Sequence, residues 1–86
     1  MSEADKMFEE LGFVLETQPY YEKCIWYKTK DDYFNREIKF WLDSKIIYNN
    51  LVYGDFTMNG SCPINAKLLK AIHKQCEELG WNNENI

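Results

Sequence analysis

Positive charge is scarce in this chain. Lys plus Arg number 10 against 14 Asp plus Glu, for a formal net charge of −4 and a pI near 4.9. A direct binder of nucleic acid or of an anionic membrane needs a positive field, so neither is an expected ligand. Histidine occurs once, as His73, and glycine only four times. No glycine loop of the phosphate-cradling kind, no Gly-x-Ser-x-Gly and no His-Glu-x-x-His is present. No apolar run approaches the roughly 20 residues that span a bilayer. The opening Met1-Ser2-Glu3-Ala4-Asp5-Lys6 lacks a basic region followed by an apolar stretch. No signal peptide is therefore expected, and the expected location is the cytoplasm. The three cysteines, Cys24, Cys62 and Cys76, are an odd set that suits a reducing compartment and free thiols better than a disulfide framework.

What the chain does have is apolar surface. Of 86 residues 45% are hydrophobic and 16% aromatic, enough to offset the entropy of ordering one domain. Ser2 is placed to cap a first helix, with Asp5 completing a capping box. Ala4, Met7, Phe8 and Leu11 then form one apolar stripe over about residues 3–11, and Gly12 stops the helix. From Phe13 to Tyr53 aromatic and β-branched runs alternate with polar turn clusters. They predict strands at about 13–18, 20–29, 33–42 and 46–53. In the third, Phe34, Arg36, Ile38, Phe40 and Leu42 share the face expected to meet the helices. Tyr33, Asn35, Glu37, Lys39 and Trp41 share the other. The second and fourth strands carry large residues on both faces, which leaves their register open. Residues 54–64 read as a loop with an Asn-Gly turn. Asn65 caps a second helix over about 66–79, whose apolar stripe is Leu68, Leu69, Ile72, Cys76 and Leu79. Gly80 ends it, Trp81 packs back beyond the cap, and residues 82–86 form a polar tail. The expected fold is α+β: a four-stranded antiparallel meander with both helices on one face, in the order α-β-β-β-β-α.

Both helices stop on the same phrase, Glu9-Glu10-Leu11-Gly12-Phe13 and Glu77-Glu78-Leu79-Gly80-Trp81. Carboxylates in a last turn oppose the helix dipole, so the local rule is broken twice. Together with Ala4-Asp5-Lys6-Met7-Phe8 and Ala71-Ile72-His73-Lys74-Gln75-Cys76, these phrases resemble small, mostly uncharacterised proteins of phages and prophages from low-GC Gram-positive bacteria. The resemblance implies an origin and a fold, and brings no site residues with it.

Zinc would need three cysteines and His73 from a chain without a Cys-x-x-Cys knuckle, and a Cys–His nucleophile lacks an activating neighbour. No metal, cofactor or catalytic residue is expected. Lys67, Lys70 and Lys74 form a solvated stripe on the last helix. The expected function is binding without catalysis. The first reading is a phage-derived inhibitor of a host defence nuclease, of the anti-CRISPR kind, presenting an acidic surface to a host protein that handles nucleic acid. Its contacts would be Glu9, Glu10, Glu77 and Glu78. Tyr33 and Trp41, on the sheet face opposite the helices, are the alternative anchors. A small-molecule or nucleotide-binding module with a pocket between sheet and helices, and a homodimer whose outer sheet face or edge pairs with itself, are the rival readings.

Overall fold

The computed structural model describes residues 2–16, 23–30, 34–53, 56–59 and 63–81. Helix α1 (Glu3–Glu10) starts where the capping box closes: Ser2 Oγ accepts from the Asp5 amide at 3.0 Å, and Asp5 reaches back to the Ser2 amide. Helix α2 (Ala66–Glu78) starts on Asn65, whose Oδ1 accepts from the Leu68 amide at 2.8 Å. Gly12 and Gly80 follow the two helices at φ 91° and 78°, a region that glycine enters without a Cβ penalty.

Strands β1 (Phe13–Glu16), β2 (Cys24–Thr29), β3 (Phe34–Trp41), β4 (Ile46–Tyr53) and β5 (Phe56–Asn59) form one antiparallel sheet in chain order. The meander and its flanking helices are thus as expected, with one addition. The segment 56–59, expected within a loop, pairs with β4 as a further edge strand, Phe56 opposite Tyr53 and Asn59 opposite Asn50. The parts of the expected first two strands at 17–18 and 20–22, the start of the third at Tyr33, and the tail lie outside the described residues.

Register settles the faces left open by the sequence. Tyr27 stands between Leu15 and Ile38, and Ile47 stands opposite Phe40. One face therefore carries Phe13, Ile25, Tyr27, Ile38 and Phe40, and both helices pack on it. The core is Phe8, Phe13, Tyr27, Ile38, Phe40, Leu68, Ala71 and Ile72. Phe8 stacks on Tyr27 at 3.9 Å between centroids and meets Phe13 and Phe40 edge-on, the arrangements that aromatic quadrupoles favour. In α2 the buried stripe is Leu68, Ala71, Ile72 and Gln75, whereas Leu69, expected within it, is 57% exposed.

Candidate functional site

The two helices are antiparallel neighbours, and their carboxylates are used between them. Glu78 Oε2 accepts from the Ala4 amide at 2.8 Å, so the end of α2 supplies an anion to the start of α1, where unpaired amides and the dipole favour it. Lys74 bridges Glu3 at 3.2 Å and Glu77 at 3.4 Å. Its hydrogen bond with Glu3, chiefly, holds its ammonium above the ordinary lysine value. Of the four carboxylates singled out from the sequence, Glu77 and Glu78 thus lie at the start of α1, and Glu9 and Glu10 at its other end. All four are exposed, yet they do not form one patch. Lys67 and Lys70 border the same hollow as Glu10, which places the lysine stripe among acids of its own chain.

Between the helices and the sheet, the Tyr27 hydroxyl donates to Asp5 Oδ1 at 2.5 Å and lies 3.1 Å from Gln75 Oε1. Burial, reinforced by the bond to Asp5, pushes this phenol well above the ordinary tyrosine value. Burial likewise raises the Cys24 and Cys76 thiols, the opposite of what an activated nucleophile needs. Among the described residues no group of three or more His, Cys, Asp and Glu side chains comes together, and no helix is long and apolar enough to cross a membrane.

The outer face of the sheet is polar at its centre. Glu37, 4% exposed, accepts from Asn50 Nδ2 at 3.2 Å and pairs with Lys39 at 3.6 Å. The Lys39 ammonium also stands 4.7 Å from the Trp26 ring centroid, a cation–π contact. Trp41 lies on this face as expected, half-buried between Cys24 and Ile46 in register. Tyr33, the other expected anchor, lies outside the described residues.

The barest apolar surface lies on the helix side. Helix α2 runs in the same direction as β3. Arg36, near the start of β3, donates to the Pro63 carbonyl just before the helix. Phe40, near its end, meets Trp81 at 6.1 Å just after it. Helix α1 packs on β1 through Phe13, on β2 through Tyr27 and on β3 through Phe40. Among the described residues the hydrophobic core cluster draws on α1, α2 and β1–β3. On the inner face Phe34, Ile47, Tyr53 and Phe56 are exposed, Phe56 by 73%, as is Leu15 on β1. Phe34 and Tyr53 meet edge-on at 6.1 Å. The flank of α2 turned away from α1 adds exposed Leu69 beside Ile72, His73 and Cys76. A signal for this surface exists in the sequence. Residues 46–66 hold a single charged side chain, Asp55, in a chain where charged residues make up 28%.

No protein-family model matches the chain, and no curated protein or solved structure matches it.

Proposed function

We propose that this chain is a non-catalytic binding protein whose contact surface is formed by the exposed apolar side chains of the inner face at β4–β5 with the adjoining flank of α2. The observation that carries the reading is the exposure of Phe34, Ile47, Tyr53, Phe56 and Leu69, three of them on β4 and β5, which hold no charged residue. Exposed apolar patches mark interaction sites, and aromatic side chains are enriched among hot spots. A second reading, inhibition of a nucleic-acid-handling host enzyme through acidic contacts, is favoured by the net charge of −4 and by the exposed pair Glu9 and Glu10. The phage origin suggested by the resemblance belongs with it.

Affinity capture with three baits separates the two: the wild type, Phe56→Asp, and Glu9→Lys with Glu10→Lys. An untagged copy of the chain is included alongside host lysate. The first reading expects the captured protein to be lost with Phe56→Asp and retained with the double reversal. The opposite pattern, together with weakening by salt, selects the acidic reading.

A further inference from the structure

We infer that the hollow between the end of α1 and the start of α2 binds a small zwitterion with an apolar body, the chemistry of a free aliphatic amino acid. This site does not depend on the contact surface proposed above.

Met7 and Glu10 of α1, with its cap Leu11, border the hollow opposite Lys67 and Lys70 of α2, around a volume of about 370 Å³. That volume lies at the small end of the roughly 300–1,000 Å³ of ligand pockets. Met7 and Leu11 pack against the core and are only partly buried, so the fold holds an apolar floor in place. Glu10, Lys67 and Lys70 are exposed around it.

The rim carries both signs of charge, and the chain does not neutralise them by contact. Among the described residues Glu10, Lys67 and Lys70 take part in no ion pair. Lys74, further along the same lysine stripe, shows the contrast, with Glu3 at 3.2 Å and Glu77 at 3.4 Å. The helix ends widen the separation. The last turn of α1 holds no base and the first turn of α2 no acid. The lysines therefore stand by the positive start of α2, and Glu10 by the negative end of α1.

Such a hollow disfavours simple ions. A lone anion drawn to the two lysines meets Glu10 across the gap, and a lone cation drawn to Glu10 meets the lysines. A molecule with both charges answers both sides, its carboxylate toward Lys67 and Lys70 and its ammonium toward Glu10. An aliphatic body laid on Met7 and Leu11 takes apolar surface out of water. The charged contacts lie in solvent, where ion pairs are weak, so the expected affinity is millimolar.

Amide chemical shifts of the isotope-labelled intact chain test the proposal, with leucine as the probe. Leucine is expected to move the signals of Glu10, Leu11, Lys67 and Lys70 along a saturating curve. Isocaproate, which lacks the ammonium, isoamylamine, which lacks the carboxylate, and glycine, which lacks the aliphatic body, should each bind several-fold more weakly. Lys67→Glu combined with Lys70→Glu should abolish the leucine shifts. The circular dichroism spectrum should not change, since both side chains are exposed and acids suit the start of a helix. Lys23→Gln, which removes only the pair with Asp43, should leave the leucine shifts intact. Signals in the hollow that stay unmoved up to the solubility limit of leucine overturn the site, as does binding that survives the double reversal. Equal affinity for isocaproate or isoamylamine overturns the zwitterion as ligand, and equal affinity for glycine overturns the apolar body.

Discussion

Tyr27 joins three elements at one hydroxyl, β2 through its backbone, α1 through Asp5 and α2 through Gln75. Tyr27→Phe keeps the ring stack on Phe8 and removes only the oxygen, leaving Asp5 Oδ1 without this donor. A loss of about 1–3 kcal/mol is expected from urea unfolding. The same substitution should alter the alkaline limb of the stability profile. The folded phenol is held above its ordinary value of 10, so above that pH the unfolded chain releases a proton that the folded chain keeps. Stability from this group is complete below pH 10 and declines as pH rises beyond it. Melting curves between pH 9 and 11 should fall less steeply for Tyr27→Phe; equal slopes would contradict the raised value. Trp81, half-buried against Phe40, should cost roughly 2–4 kcal/mol on Trp81→Ala. A change under about half a kcal/mol would mean the ring contributes little packing.

Helix α1 has eight residues, too few to persist on its own propensity. Two devices hold its start, the Ser2–Asp5 box within it and the Glu78 carboxylate from α2. Glu78→Lys replaces an anion at a positive helix end by a cation and should destabilise by about 1–2 kcal/mol. Glu78→Gln keeps an acceptor and should lose less. Hydrogen exchange at the Ala4 and Asp5 amides is the direct measurement, with faster exchange expected in Glu78→Lys. From the sequence, Glu77 and Glu78 look misplaced, because only their own helix is visible there. The dipole that rationalises Glu78 belongs to a helix more than seventy positions away. A charge-reversal test of acidic contacts therefore belongs at Glu9 and Glu10, where a loss of binding cannot be confused with loss of this cap.

For the molecule as a whole, the odd cysteine count and the poor ligand spacing lead to one further expectation. Chelator and reductant together should leave the melting temperature within about two degrees, well under the shift that 1 kcal/mol produces in a domain of this size. A collapse under chelator alone would point to a structural metal. Much of the fold was legible in the residues because its signals are local. Ser2, Asp5 and Asn65 announce helix starts, Gly12 and Gly80 announce the stops, and the alternation of β3 sorts Phe34, Ile38 and Phe40 from Glu37, Lys39 and Trp41. Strand β4 reads Ile-Ile-Tyr-Asn-Asn-Leu-Val-Tyr, with no period of two, so only its pairing with β3 assigns Ile47 and Tyr53 to the inner face. Strand β5 is four residues beside turn formers, and such a segment becomes a strand through its neighbour rather than through its own propensity. That unforeseen strand decides the surface. Two helices side by side span about 20 Å, while five strands span about 24 Å. The exposed inner-face residues fall on both edges of the sheet, Leu15 on β1 and Ile47, Tyr53 and Phe56 on β4–β5. Periodicity by itself determined which side of each helix and of β3 is apolar. How far the helix layer reaches across the sheet is a sum over all the elements, and only the tertiary structure decided it.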